Sequence, residues 1–260
     1  MLIFFITAGV FIGSFLNMLG HRLLTGKSLL GARSCCPHCG AVIAWYDVVP
    51  LFSYLWLQGK CRSCNQSISW LYPFIEMVGG VAGLLLFSEY AASASILSTA
   101  VLSGRLVAYG LLLSGFMVGM RTDFEALVVP RVVIIGMGLV GLLAGVAGYL
   151  PVTLEGGLLG ALLGYSSLWL LNMASRRFSG REGIGEGDME LLAVVGLFWG
   201  PIGVWSVAFM SSVLGIVGTL LYLSLTGKNR YTRVPFIPFM ALASGLHMVY
   251  QREIIGWLLH

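Results

Sequence analysis

Residues 203–226 read GVWSVAFMSSVLGIVGTLLYLSLT, twenty-four positions without one charged side chain. A helix needs about 20 mainly apolar residues to cross the ~30 Å hydrocarbon layer of a bilayer, so this stretch predicts a membrane span. Outward from it, the same criterion predicts seven further spans. Together the eight are 1–20, 73–90, 106–120, 132–150, 156–174, 189–200, 203–226 and 235–259. The sixth is short and stops at Gly200-Pro201. Composition agrees: 58% of the 260 residues are hydrophobic and 10% charged, and the mean hydropathy is +0.90. A soluble domain carries about 25% charged residues, so too little polar surface is present to solvate a globule. The 35 glycines suit close helix approach in a membrane. The expected fold class is an all-α polytopic membrane protein, with about eight transmembrane helices and a small cytoplasmic zinc-binding loop domain.

The first apolar run has no basic residue before it, and no small-residue cleavage site follows. It therefore reads as a retained span and not as a signal peptide. Of the 15 basic residues, all but Arg105 and Arg252 fall in the connections on one side of the predicted bundle. The positive-inside rule makes that side cytoplasmic and sends both termini to the periplasmic side. The net charge of +4 thus describes topology, and nucleic acid is not an expected partner.

One connection, 21–72, is long and contains all five cysteines. Four of them form Cys36-Pro-His-Cys39 and Cys61-Arg-Ser-Cys64. Each Cys-x2-Cys turn presents two sulfurs to one ion, and two such turns make a closed tetrahedral zinc site. Cys36, Cys39, Cys61 and Cys64 are the expected ligands, and the ion is structural because no position stays open for a catalytic water. Disulfides are not expected in a cytoplasmic loop. Cys35 is the leftover thiol, and His38 reads as a turn residue.

The 11 acidic residues are placed informatively. Asp123 and Glu125 stand just before the predicted fourth span, Asp188 and Glu190 just before the sixth, all on the cytoplasmic side. Two aspartates entering a bundle from one side could meet and share a proton, as water-activating pairs do. Residues i and i+2 on a helix point about 200° apart, so neither glutamate can face the same centre as its aspartate. The alternative is that these acids are helix N-terminal charges, favoured by the macrodipole. Gly185 and Gly187, ahead of Asp188, would let a substrate backbone lie close. Glu76, near the start of the second span, is a further candidate for substrate positioning. Asn17 in the first span reads as a packing residue that could hydrogen-bond between helices.

In this order the motifs resemble those of the bacterial type IV prepilin peptidases, membrane aspartic proteases of the Gly-x-Gly-Asp type. The resemblance covers nearly the whole chain. It runs from Gly13-Ser-Phe-Leu-Asn17 and His21-Arg22 through Cys36-Pro-His-Cys-Gly40, then residues 45–54 (WYDVVPLFSY) and Gly59-Lys-Cys-Arg-Ser-Cys64. It continues with Tyr72-Pro-Phe-Ile-Glu76, Asp123 and Glu125 with Pro130, and Gly185-Glu-Gly-Asp188. The resemblance implies that Asp123 and Asp188 are the catalytic pair of an aspartic endopeptidase. It implies domains of 1–20 (first helix), 21–72 (tetracysteine zinc domain) and 73–260 (peptidase bundle). Such enzymes remove a basic leader from prepilins or type II secretion pseudopilins at the inner membrane, after a glycine and before an apolar helix. Many also methylate the new N-terminus, with S-adenosylmethionine as donor. No glycine-rich cofactor loop is visible in the polar segment. Glu190 stands where that family usually has lysine, and Arg131 where aspartate is usual. The rival readings are a zinc-loop membrane scaffold of a pilus or secretion machine, and a cation-coupled transporter. Edge carboxylates argue against the transporter, whose acids more often lie near mid-bilayer.

Overall fold

The computed structural model describes residues 1–26, 28, 34–180, 183–227 and 233–258, without the side chains of 179 and 252–258. Lys27, Arg33, Arg181, Lys228 and Arg230, used above for orientation, lie outside the described residues, as does the side chain of Arg252. The described residues are helical apart from turns and two isolated bridges. The helices are α1 (Leu2–Thr25), the short α2 (Phe52–Trp56), α3 (Leu71–Ser93), α4 (Thr99–Ala126), α5 (Arg131–Val146), α6 (Leu154–Ser179), α7 (Glu186–Thr226) and α8 (Ile237–Leu258). Helices satisfy their own backbone hydrogen bonds, which is the requirement lipid imposes. Five of them, α1, α3, α4, α6 and α7, are long and apolar enough to cross a membrane.

α7 joins the sixth and seventh predicted spans. Its 41 residues would extend ~60 Å if straight, twice the hydrocarbon layer. It is not straight: Gly200 has φ 66° and ψ −165°, and Pro201 follows. Proline lacks the N–H that the helix would use there, and only glycine takes that backbone conformation without strain. The break falls at the predicted junction.

α4 runs further than the predicted 106–120, ending at Ala126. Charges alone do not stop a helix when each finds a partner. Arg121 is buried and paired with Glu125 one turn on, at 2.7 Å. The helix stops where Leu127 turns left-handed (φ 54°) and donates its N–H to the Asp123 carbonyl. Asp123 and Glu125 therefore close α4 and do not open α5, which begins after Pro130.

The chain divides into two compact units, Met1–Phe87 and Ser88–His260. In the first, α1 and α3 pack backbone to backbone: a Cβ on Gly9 would lie 2.1 Å from the Gly79 carbonyl oxygen, and one on Gly79 2.3 Å from that of Gly9. Asn17 is fully buried there, and neither of its amide atoms has a hydrogen-bond partner among the described residues. In the second unit, buried Glu89 pairs with Arg105 at 3.3 Å and accepts from Ser93 at 2.9 Å. Arg105 also donates to the Tyr149 carbonyl at 2.9 Å. Arg105 and Asp123 are eighteen residues apart on α4, ~27 Å along its axis, so the helix carries its charged side chains about one bilayer apart.

A Gly79→Val substitution would force the α1 and α3 backbones apart. The expected outcome is loss of the folded protein from detergent extracts, read as a collapse of the thermal transition, whereas Gly136→Ala, where a Cβ meets open space, leaves it unchanged.

Candidate active site

Asp123 and Asp188 reach the same region of the second unit from opposite helix ends. Asp123 stands in the last turn of α4, where its own helix offers a carboxylate no support. Support comes from α8 instead. The Ile237 N–H, the first of that helix, donates to Asp123 Oδ2 at 3.1 Å, and the Phe236 N–H also donates to the carboxylate. The first N–H groups of a helix lack internal partners and carry partial positive charge, so a carboxylate satisfies them. Asp123 thus acts as the N-terminal anion of α8, 114 residues away in sequence.

Asp188 stands in the first turn of α7 and accepts a hydrogen bond from the backbone N–H of Gly185, which caps that helix. Each aspartate is therefore held at a helix N-terminus, one at its own and one at another's. The acidic charge that acts on Asp188 is that of Asp123, so the two carboxylates lie within electrostatic reach. Glu125 turns to Arg121, with which it pairs, and Glu190 is half-buried. Helix-terminal charge accounts for the position of Asp188 by itself. For Asp123 the helix concerned is α8 and not its own, so its position depends on a contact that brings distant parts of the chain together.

The approach to Asp188 is kept narrow in side chains. Gly185 has an ordinary extended backbone, and a Cβ there would lie 3.5 Å from Asp188 Oδ2. At Gly187 a Cβ would come within 3.2 Å of Val129. Gly187 lets Val129 pack closely, Gly185 leaves only ordinary contact to Asp188, and neither is required by backbone conformation. The loop ahead of them is pinned by Asn172 of α6, whose Oδ1 accepts from the Gly183 N–H at 3.1 Å and from the Ile184 N–H at 3.3 Å. Sequence reading passed over Asn172. A lone amide within the predicted span 156–174 was the available signal. Arg131 makes an exposed ion pair with Glu186 at 3.3 Å, between the first residues of α5 and α7. That gives the arginine at this position a local partner.

Glu76 belongs to the first unit and is answered entirely within it. Its Oε1 accepts from Ser14 Oγ of α1 at 2.7 Å, and its Oε2 from the Leu51 N–H at 2.7 Å. The carboxylate is buried and ties α1, α3 and the polar segment together.

The polar segment carries the cysteine cluster. The sulfurs of Cys36, Cys39, Cys61 and Cys64 all lie within 4.8 Å of one another and could hold a metal ion. Cys36 and Cys64 sulfurs are 3.9 Å apart, close to the ~3.8 Å edge of a tetrahedron with metal–sulfur bonds of ~2.3 Å. Two copies of one turn build the cluster, offset by twenty-five residues. Cys36 N–H donates to Ala41 O and Gly40 N–H to Cys36 O; Cys61 N–H donates to Gln66 O and Asn65 N–H to Cys61 O. The bridges Cys35–Val42 and Lys60–Ser67 close the two turns in the same places. Gly40 and Asn65 share a left-handed backbone, with φ 70° and 57°. The backbone N–H groups of Cys39 and His38 pull the Cys36 thiol down to about 6. The N–H of Gln66 pulls Cys64 down, yet burial and its three sulfur neighbours together push it up to about 12. Four thiolates cannot coexist there without a cation. Cys35 is exposed and outside the cluster, as its spacing predicted.

The fold and site so far define a multi-helix membrane protein with a paired-carboxylate site and a four-thiol cluster that could hold a metal ion. Two family models match it: the bacterial peptidase A24 N-terminal domain over residues 7–90, and the type IV leader peptidase family over residues 110–220. Among curated proteins it is similar to a prepilin leader peptidase/N-methyltransferase of Pectobacterium carotovorum subsp. carotovorum, 32% identical over 93% of this chain and 90% of that one. Relatives with the same description occur in Dickeya chrysanthemi (30% identical, 96% of this chain, 92% of the relative) and Pseudomonas aeruginosa (30%, 96% and 90%). No solved structure matches. The chain belongs to the type IV leader peptidase family. Family membership makes it a peptidase, and its long apolar helices make it a membrane one.

Removing the Asn172 amide leaves two backbone N–H groups without their acceptor, at a cost of about 1–3 kcal/mol. Asn172→Ala is expected to lower peptidase turnover by roughly ten- to a hundredfold as the loop before Asp188 loosens. Asn172→Asp, which still accepts both hydrogen bonds, is expected to keep most of it; turnover of a peptide substrate by purified protein checks both.

Proposed function

We propose that this protein cleaves the basic leader from type IV prepilins or type II secretion pseudopilins at the cytoplasmic face of the inner membrane, with Asp123 and Asp188 as the catalytic pair. The observation that carries the proposal is the convergence of these two carboxylates within electrostatic reach from distant parts of the chain. The ionised aspartate takes a proton from a water as its oxygen attacks the scissile carbonyl. The protonated one donates a hydrogen bond to the carbonyl oxygen and stabilises the tetrahedral intermediate. Proton return to the departing amine then breaks the C–N bond. Backbone N–H groups at the starts of α7 and α8 hold both carboxylates in place for these transfers. Gly185 and Gly187 leave room for the extended substrate backbone beside Asp188, while Glu76 sets the polar segment against α1 and α3 for the substrate.

The new N-terminus is then methylated, the methyl group being supplied by S-adenosylmethionine. No residue of this chain is assigned to that donor. Zinc is the ion of the Cys36, Cys39, Cys61 and Cys64 cluster, because four thiolates in tetrahedral spacing suit it and leave no open position. Its role is structural. Both termini face the periplasm and the polar segment the cytoplasm, which puts the aspartates and the zinc cluster on the side where a leader resides. The number of crossings, eight with α7 broken at Gly200, is part of the same reading. A scaffold or a transporter would have no use for a protease-type pair of carboxylates.

Asp123→Asn and Asp188→Asn should each reduce leader cleavage by at least roughly a hundredfold while the protein still inserts, as read from a prepilin incubated with purified protein. Cleavage at the wild-type rate by either variant removes the mechanism. Metal analysis should find about one zinc per chain, lost in Cys36→Ser and Cys61→Ser variants. Peptidase activity should outlast methyl transfer when zinc is chelated, as followed with labelled S-adenosylmethionine.

A further inference from the structure

Residues 34–70 are turned inside out for a water-soluble module. Only Cys36, Pro50 and Gly59 are buried there, while Trp45 is 81% and Trp56 70% exposed. Tyr46, Phe52 and Leu55 are exposed as well, and Phe52 stacks on Trp56 along α2 with ring centroids 6.0 Å apart. From residue 45 to residue 58 the one charged side chain is Asp47. It is neutralised by Arg62 through two hydrogen bonds of 2.6 and 2.7 Å. An apolar surface of this size, with its single acid cancelled, is not left facing water without a partner.

Glu76 sets where that surface stands. It lies five residues beyond the first residue of α3, ~7.5 Å along the axis. Its other oxygen meets Ser14, eleven residues before the last residue of α1 and so ~16 Å in from that end. The Leu51 N–H bonds the same carboxylate at 2.7 Å. Both helices are long and apolar enough to be spans, so Leu51 cannot stand off from the membrane. α2 begins at the next residue. The exposed rings therefore start at the level of the apolar layer, and Trp70 and Phe74 stack edge-on at the foot of α3.

We propose that α2 and the turn before it, with Trp45, Phe52, Leu55 and Trp56, form a monotopic anchor seated in the headgroup–acyl boundary of the bilayer. Tryptophan and tyrosine are the residues that boundary favours, since their rings are apolar and their N–H or O–H tips are wet. Cancelling Asp47 removes the like-charge repulsion that anionic headgroups would exert. The anchor fixes the metal cluster against the membrane surface from its outer side, as Glu76 does from within. A short helix held at both faces cannot swing away from the bilayer, so a substrate emerging from the membrane would meet the segment at a fixed height.

The test uses the full chain in phosphatidylcholine/phosphatidylglycerol vesicles and compares wild type with Trp45→Phe/Trp56→Phe. The difference in fluorescence isolates these two indoles. Brominated phosphatidylcholine is expected to dim that difference by roughly twofold, with aqueous iodide having little effect. Dimming by iodide and none by brominated lipid overturns the proposal. A photoreactive benzoylphenylalanine at Leu55 supplies the second measurement: phospholipid adducts support the anchor, and adducts only to an added prepilin assign the surface to the substrate and overturn it. Neither readout depends on cleavage or methyl transfer, so failure here leaves the catalytic proposal standing, and the reverse.

Discussion

A carboxylate inside an apolar bundle has to be given hydrogen-bond donors, and that requirement organises this protein. Water does it for free at a surface; within a membrane the donors must come from the chain. Asp123 draws on the unsatisfied N–H groups that open α8, Asp188 on the N–H of Gly185, and Glu76 on Ser14 and the Leu51 backbone. Each answer joins distant parts of the chain or fixes a helix end. The acids therefore help to define the architecture as well as the proposed chemistry. An alanine at Asp123 would remove one carboxylate of the proposed pair and also strand the first backbone donors of α8.

Much of the fold was legible because the bilayer simplifies the code. Long uncharged runs leave few structural options, and the break at Gly200-Pro201 was visible as an interruption of one of them. The end of α4 was not. Hydropathy falls at Arg121, and the natural inference is that the helix stops there. It continues because Arg121 pairs with Glu125 and Asp123 with α8, and neither partnership can be read from local composition. The true stop, a left-handed Leu127, is a backbone conformation that leucine does not advertise.

The candidate site was legible in its acids and not in their supports. Spacing alone sets Asp123 apart from Glu125 and Asp188 from Glu190, and the structure shows Glu125 occupied by Arg121. Asn172 was missed because its effect is on two backbone groups eleven and twelve residues away, across a turn. Arg131 finds Glu186 within 3.3 Å. An exposed pair of this kind contributes little to stability, about 0–1 kcal/mol, so a change at Arg131 would leave the fold intact. Its interest is positional, since it joins the segments that follow one aspartate and precede the other.

The two Cys-x2-Cys turns carry the same logic into the polar segment. With three buried residues between 34 and 70, no apolar core exists to hold it. Two copies of one hydrogen-bonded turn bring four sulfurs together, and a metal held by them would supply the cohesion that burial does not. That frees the aromatic residues from core duty. In a soluble metal-bound domain such residues would still collapse onto the turns, because water drives them inward. Their outward orientation is stable where the surroundings are themselves apolar. The same lack of a core thus accounts both for the use an ion would have in this segment and for tryptophans that face away from it.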